Sequence, residues 1–328
     1  MSAHHRPSDA AAPRSPWLVG PWTDLLLIAN VGWPLILVVG LWGGFDAQEG
    51  VRFWQIYFVT MPHRWLTIAV VALDPELGRR RSKAFLAIAA VVVLFCATIW
   101  LSTGTLLCLL ALDSLWNAWH FASQHHGIAR IYGRLADPAR ASGLWLEKIV
   151  LRGLVLWVAF RVAGGIWRHE TLEAWLAAAD WGVLVASALL LVREVAAVSP
   201  RGVGRLAYLS SLIALYAALL LAVHFRQPRW VLPLVLASAL FHATEYLTLV
   251  SWAVRRKQRP GAAGLFAWLV SQWGLSLAAF LVVLGLGGWL ASEYRLQWWM
   301  LANVIVAYLH YAYDGMIWKS HRPVSYAH

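Results

Sequence analysis

Apolar runs of about twenty residues recur along nearly the whole chain, and this feature restricts its fold more than any other. A run of this length crosses the hydrocarbon core of a bilayer as an α-helix, because each residue adds about 1.5 Å along the helix axis. Only 13% of the residues are charged, whereas soluble domains carry about a quarter. The sequence therefore predicts an all-α, polytopic integral membrane protein.

The pattern predicts about ten transmembrane helices in one domain over residues 21–319. The expected spans are 24–44, 51–73, 84–102, 105–132, 145–167, 180–198, 206–225, 230–254, 263–290 and 297–318. Residues 1–20 and 320–328 are polar. We expect them to form a disordered N-terminal tail and a short C-terminal tail, both in the cytoplasm.

The cations are concentrated in alternate links between the apolar runs. The basic links follow the second, fourth, sixth and eighth spans and read DPELGRRRSK, GRLADPARASG, SPRGVGR and RRKQRPG. Because positive links stay in the cytoplasm, this pattern predicts cytoplasmic termini and a multi-pass protein of a bacterial-type inner membrane. The formal net charge of +11 comes largely from these links, so it indicates contact with anionic lipid and argues against nucleic acid as a partner.

Six of the 12 histidines lie inside apolar runs, and all six fall on even-numbered spans. They are His63, His120, His125, His126, His242 and His310. Since these spans run in one direction, the imidazoles should share a slab about 10–18 Å from the cytoplasmic helix ends. An ionisable group inside a bilayer is costly and usually belongs to a functional site that faces the bundle interior.

Carboxylates occur at helical spacing beside two of these histidines. Glu245 follows His242 by three residues and Asp314 follows His310 by four, so each pair shares one helix face. Helix bundles hold two irons with inward Glu/His pairs of this kind. Six imidazoles and two carboxylates exceed the needs of one tetrahedral ion, which favours two iron ions. Copper, zinc and haem are the alternatives.

Further polar groups accompany the histidines. Asp113, Asn117, His120 and Gln124 form one polar edge of the fourth span at i, i+4, i+7 and i+11. The others are Arg64, Tyr246 and Tyr311. We expect Arg64, Asn117, Gln124 and Tyr311 to contact substrate or to support the ligands, with Arg64 pairing to a carboxylate or to an anionic substrate head group.

Four residues are candidates for catalytic roles. Glu245 is expected to be a terminal or bridging metal ligand, and Asp314 either a ligand or the partner that orients His310. Asp113 and Tyr246 are candidates for proton transfer or for support of the ligands. His125 and His126 point about 100° apart on their helix, so one of them is expected to bind metal, and the sequence leaves open which one.

A family resemblance is carried by His63, the HxxxxHH pattern over 120–126, HxxE over 242–245 and HxxxD over 310–314. This pattern resembles the membrane-embedded, histidine-rich di-iron oxygenases, which include fatty-acid desaturases, hydroxylases and alkane monooxygenases. It is also similar to the integral-membrane family that cleaves β-carotene to retinal, and the ten-helix plan is nearer to that type. The resemblance implies O2-dependent oxidation at iron and covers only the site helices, so it implies no particular substrate.

The leading hypothesis is an integral-membrane metalloenzyme that uses O2 to oxygenate, desaturate or oxidatively cleave a lipophilic or small organic substrate. A separate protein, or the substrate itself, would supply the electrons. The alternative is a non-enzymatic membrane protein that uses the same histidines to bind haem or a metal, or to transport an ion.

Overall fold

The computed structural model describes residues 15–137, 145–164, 170–256, 264–294 and 296–317. These residues are mostly helical, and no strand occurs among them. The helices are α1 (Pro21–Thr23), α2 (Trp33–Trp42), α3 (Gly44–Gln55), α4 (Met61–Leu73), α5 (Pro75–Thr103), α6 (Leu107–Ala136), α7 (Trp145–Ala163), α8 (Glu170–Ala196), α9 (Val203–His224), α10 (Pro228–Arg256), α11 (Leu265–Ser271), α12 (Trp273–Glu293) and α13 (Gln297–Ile317). A π-helical turn over Asp24–Ile28 continues α1, and a second one over Ile56–Thr60 joins α3 to α4.

Six helical stretches are long and apolar enough to cross a membrane. They are Glu49–Leu73, Arg81–Thr103, Leu172–Ala196, Pro200–His224, Pro228–Arg256 and Trp273–Glu293. A seventh span results if the bent pair Pro21–Ile28 and Trp33–Trp42 counts as one. The expected all-helical, multi-pass architecture is confirmed, and the number of ten spans stays a prediction. Helices α6, α7 and α13 are not among the six, and each of them carries ionisable side chains in its interior.

Two predicted continuous spans are broken in the structure. The span expected over 24–44 bends by 45° between Ile28 and Trp33. Asn30 takes a φ of 45° at the bend, a conformation that asparagine tolerates, and its side-chain amide donates to Thr244 Oγ1 on α10 at 2.8 Å. The span expected over 263–290 is interrupted at Gln272, between α11 and α12. The prediction of unbroken helices was wrong here, because hydropathy does not register a local change of backbone direction.

Residues 15–20, which the sequence pattern assigns to the tail, are held against the bundle by Asp24. The buried carboxylate of Asp24 accepts hydrogen bonds from the backbone N–H groups of residues 18–20 at 2.6, 3.0 and 3.2 Å. It also accepts a bond of 2.7 Å from the hydroxyl of Tyr132 on α6. A buried charge with four donors is stabilised, so this segment is fixed at the ends of α6 and α9.

Helices α6 to α9 are tied together at one end by a buried arginine. Arg205 of α9 donates to Glu147 of α7 at 2.6 Å and to Glu194 of α8 at 2.9 Å. A third bond of 2.7 Å goes to the carbonyl of Ala129 on α6. All three charged side chains are at most 5% exposed, so each has its counter-charge inside the bundle.

A buried aspartate ties α7, α8 and α9 together at their other end. Asp180 of α8 accepts two hydrogen bonds of 3.0 Å from Arg161 of α7. Trp157 Nε1 and His224 Nδ1 contact the same carboxylate at 2.8 and 2.9 Å. Because the helices are pinned at both ends, they form a fixed support beside α6 and α10.

Helices α4, α6, α10 and α13 pack into a ring. Helix α4 packs against α13 and α10, and α6 packs against the same two helices. Contacts follow the same order along α6 and α13, since Tyr308 reaches the carbonyl of Leu109 and Tyr311 reaches Asp113 one turn further on. The two helices therefore run in the same direction, as expected for the fourth and tenth predicted spans.

Candidate metal centre

Four imidazoles meet inside the ring formed by α4, α6, α10 and α13, one from each helix. They belong to His63, His120, His242 and His310, and each is at most 8% exposed. Neighbouring ring centres are 5.4, 5.0, 4.7 and 4.9 Å apart in the order 63–242, 242–120, 120–310 and 310–63. The ring planes are steeply inclined, by 68° to 88°.

These separations match imidazoles that share one metal ion. With a metal–nitrogen bond of about 2.1 Å and a ring centre about 1.1 Å beyond the nitrogen, neighbouring centres lie about 4.5 Å apart at a right angle and about 5.2 Å apart at a tetrahedral angle. Three of the observed separations, 4.7, 4.9 and 5.0 Å, fall inside this interval, and the fourth, 5.4 Å, lies just above it. Ordinary core packing does not require four imidazoles to close such a circle.

His310 is oriented by a hydrogen bond on the side away from the cluster. Its Nδ1 lies 2.6 Å from the hydroxyl oxygen of Thr67 on α4. Its Nε2 lies 3.1 Å from Nε2 of His120, within the separation of about 3.0–3.4 Å expected for two nitrogens on one ion. Nε2 is therefore the one nitrogen of His310 that an ion could take, in place of its hydrogen bond to His120.

The ring nitrogens of two histidines in the cluster make no hydrogen bond to any described residue. Both nitrogens of His63 and both nitrogens of His242 are buried and lack a partner. The carbonyl groups of Val59 and Thr60, one turn earlier, approach His63, but not with hydrogen-bonding geometry. Burying a polar nitrogen without a partner costs about 1–3 kcal/mol, so these atoms point to a missing ligand.

Asp314 supplies a carboxylate at the edge of the cluster. Its Oδ2 lies 3.8 Å from His120 Nε2 and 3.7 Å from His310 Nε2. Its Oδ1 accepts a hydrogen bond of 3.1 Å from the hydroxyl of Tyr246, which lies 2.5 Å from the Thr67 hydroxyl. Thr67 and Tyr246 thus link the carboxylate to the far nitrogen of His310, and this chain fixes the direction of both.

Three groups of side chains have ligand atoms within 4.8 Å of one another. They are His63, His242 and His310; His120, His310 and Asp314; and His125, His242 and Glu245. The first two groups share His310, whose one open nitrogen cannot serve two ions. They are therefore best read as one five-ligand position, with the third group beside it.

The third group differs because one of its two histidines, His125, is already hydrogen-bonded on both nitrogens. His125 Nδ1 lies 3.1 Å from Glu245 Oε2 and 3.1 Å from the hydroxyl of Tyr208. Its Nε2 lies 3.2 Å from the hydroxyl of Tyr216. The amide of Gln124 donates to Glu245 Oε2 at 3.0 Å. His125 therefore occupies a satisfied polar site, which a metal ion would have to reorganise.

The position of His63 depends on its local backbone. The π-helical turn Ile56–Thr60 ends just before Pro62, which has no backbone N–H to donate. π-Helical turns shift the following side chains around the helix axis and are frequent at functional sites. Helix α12 packs closely on this segment, because a Cβ at Gly288 would lie 2.4 Å from the Met61 side chain.

A polar network lies next to the cluster, on the side where α6 begins. The hydroxyl of Tyr311 donates to Asp113 at 2.9 Å and contacts Asn117 Oδ1 at 3.0 Å. The ring of Tyr311 lies 4.9 Å from that of His120. Arg64 approaches the same group, with Nη2 at 3.5 Å from Asn117 Oδ1. These side chains connect the buried imidazoles to the partly exposed surface.

The structure brings most of the predicted site residues together. His126 is the exception among the six histidines, since it belongs to none of the three groups of described residues. Sequence reasoning did not identify Thr67, Tyr208 and Tyr216, which orient His310 and His125, nor Phe121, whose ring stacks on His242 at 3.8 Å. Thr67 had a usable signal, because it follows His63 by one helical turn.

Comparison of the chain with protein-family models, with curated proteins and with solved structures finds no match.

Proposed function

We propose that this protein is an integral-membrane metalloenzyme that holds iron and uses O2 to oxidise a lipophilic or small organic substrate. The observation that carries the proposal is the closed circle of four buried imidazoles beside Asp314, in which the ring nitrogens of His63 and His242 have no partner among the described residues. Imidazole and carboxylate together suit iron, and a bound iron would supply the one-electron chemistry that O2 requires.

The main ion would be held by the four imidazoles and by the carboxylate of Asp314. The donor set fits, because the open nitrogens of His63 and His242 would gain their missing partner there. A second ion would use Glu245, His125 and the other nitrogen of His242. It would require His125 to give up hydrogen bonds to Tyr208 and Tyr216. The geometry therefore favours the first position, and two irons remain the prediction for a fully loaded protein.

The side chains around the ion have separate tasks in this proposal. Thr67 and Tyr246 hold His310 and Asp314 in position, and the Tyr246 hydroxyl can pass a proton to Asp314 Oδ1 at 3.1 Å. Burial of the cluster excludes water and strengthens the local electrostatic interactions. The edge from Asp113 to Asn117 offers polar access from the surface. A separate protein, or the substrate, would provide the electrons.

The topology belongs to the same proposal. Ten spans, with both termini in the cytoplasm of a bacterial-type inner membrane, are supported by the basic links and by the burial of the charged side chains of α7 in ion pairs. A periplasm-specific reporter fused to the C-terminus should be inactive. An active reporter would contradict this orientation.

A haem is less compatible with the cluster than a bare ion. Two imidazoles on opposite faces of a haem have centres about 6.5 Å apart, with a flat slot about 10 Å wide between them. Here neighbouring imidazole centres are 4.7 to 5.4 Å apart, and Phe121 stacks on His242 at 3.8 Å. For any neighbouring pair to bind a haem between them, the two imidazoles would have to move apart.

Metal analysis and an optical spectrum of protein purified in detergent test the proposal. We expect at least one iron per chain and no Soret band, with iron strongly reduced in His242→Ala and His310→Ala. His126→Ala is the matched control and should keep its metal, whereas Glu245→Ala should lose only a second ion. Full metal content in both His242→Ala and His310→Ala would contradict the ligand assignment.

Reaction with air tests one requirement of an enzyme of this type. Protein reduced anaerobically with dithionite should return to its oxidised spectrum on exposure to air, because the proposed function requires reaction with O2. Iron that stays reduced in air would favour the non-enzymatic alternative.

A further inference from the structure

Arg64 lies beside the imidazole cluster with most of its hydrogen-bonding capacity unused among the described residues. A guanidinium carries five N–H donors. Nη2 reaches Asn117 at 3.5 Å, and Nη1 lies 3.9 Å from Asp113, too far for a hydrogen bond. Nε is buried and has no partner. A guanidinium in such a place is normally matched by an oxyanion at hydrogen-bonding distance, and Asp113 forms only a long ion pair with it.

Asp113 does not fill this role. Its Oδ1 accepts the hydroxyl of Tyr311 at 2.9 Å, which ties the carboxylate to the interface of α6 and α13. The same hydroxyl lies 3.0 Å from Asn117. Both potential partners of Arg64 are therefore oriented by Tyr311, and the donors of the guanidinium fork remain available to a ligand.

The position of Arg64 allows a ligand to reach both the surface and the cluster. Arg64 follows His63 directly, and the Tyr311 ring lies 5.7 Å from its guanidinium and 4.9 Å from the ring of His120. The Arg64 side chain is 21% exposed, whereas the four imidazoles are almost completely buried. The ring of Trp116 packs on Tyr311 at 5.6 Å and is itself exposed, so it forms an apolar rim beside these polar side chains.

We propose that Arg64 binds the carboxylate of an amphiphilic acid whose alkyl chain lies against the apolar rim at Trp116. This inference rests on the proposed function, because it identifies the substrate of that reaction as a carboxylic acid with an apolar chain. Asp113 already offsets the charge of the guanidinium, so each further negative charge on a ligand adds repulsion from Asp113. A carboxylate, which pairs with a guanidinium through two parallel hydrogen bonds, therefore fits better than a phosphate.

Calorimetric titration of the detergent-purified protein with octanoate, and separately with 1-octanol, tests the inference. Octanoate should bind the wild-type protein, and 1-octanol should bind at least about tenfold more weakly. Arg64→Gln should lose about tenfold in octanoate affinity, and Arg64→Lys should lose less because it keeps the charge. Asp113→Asn should bind octanoate more tightly, since it removes a negative charge next to the ligand.

Arg152→Gln is the matched control. Arg152 also lies inside a helix with a buried Nε that has no partner, but it stacks on Trp119 of α6 at 5.0 Å and does not contact the cluster network. Its octanoate affinity should equal that of the wild type. Equal binding by Arg64→Gln, or weaker binding by Asp113→Asn, would overturn the inference. If Arg64→Gln fails to fold, Asp113→Asn and the comparison with 1-octanol decide.

Metal content measured on the same samples separates this inference from the proposed function. Protein that contains iron but does not bind octanoate would overturn the carboxylate site and leave the metal centre standing. Protein that binds octanoate through Arg64 but holds no metal would overturn the proposed oxidation and leave the carboxylate site standing.

Discussion

The substitution His242→Leu removes two buried ring nitrogens that make no hydrogen bond to any described residue. A neutral imidazole presents one donor and one acceptor, and leaving each unpaired in a protein interior costs about 1–3 kcal/mol. Leucine has a similar size, and its different shape should cost about 1–2 kcal/mol. With the lower value of each range, the metal-free variant should be more stable than the metal-free wild type by about 1 kcal/mol.

Metal should reverse this order. An ion present at a hundredfold excess over its dissociation constant stabilises the protein that binds it by about 2.7 kcal/mol. The wild type should gain this amount, while His242→Leu, without one of its ligands, should gain much less. The free energies of unfolding of the two proteins should cross between a chelator and saturating ferrous iron.

Unfolding in mixed micelles of increasing denaturing detergent, followed by tryptophan fluorescence, measures these differences. His125→Leu is the control with the opposite sign. His125 is bonded to Glu245, Tyr208 and Tyr216, so its removal should destabilise the protein by about 2–4 kcal/mol with or without metal. If His242→Leu destabilised the chelator-treated protein as much as His125→Leu does, the nitrogens of His242 would not be unpaired, and the reasoning would fail.

Two further substitutions test the supports of the site. Glu147→Gln removes one of the two carboxylates that pair with Arg205. It should lower the free energy of unfolding by about 2–3 kcal/mol without a change in iron content. A variant as stable as the wild type would show that the ion pairs of Arg205 contribute little. Gly288→Leu forces its side chain into the space of Met61, so it should displace the start of α4 and reduce iron content through His63; unchanged iron content would contradict this route.

The sequence predicted the type of fold and most of the site because both depend on simple periodicity. Runs of apolar residues located the main helices. Because the site residues fall on even-numbered predicted spans, their helices were expected to run in one direction. The predicted common depth of His63, His120, His242 and His310 agrees with the circle of ring contacts that the four side chains form. The i,i+4 spacing also correctly put Asp314 beside His310.

Features that depend on helix rotation and backbone detail could not be read in this way. His125 and His126 have the same depth, and only the contact between α6 and α10 turns His125 toward Glu245. The bend at Asn30 and the π-helical turn Ile56–Thr60 leave no hydropathy signal. The hydrogen bond from Thr67 to His310 joins positions 243 residues apart, so no local pattern could indicate it.

The spread of the cluster along the chain has a consequence for how the protein is made. Its ligands lie on α4, α6, α10 and α13, and the last helix contributes both His310 and Asp314. While the chain is being inserted, the imidazoles of α4, α6 and α10 therefore lack their final partners. In the proposed metalloenzyme, iron would be taken up only after α13 has packed against α4 and α6, and metal loading would then mark the completion of membrane assembly.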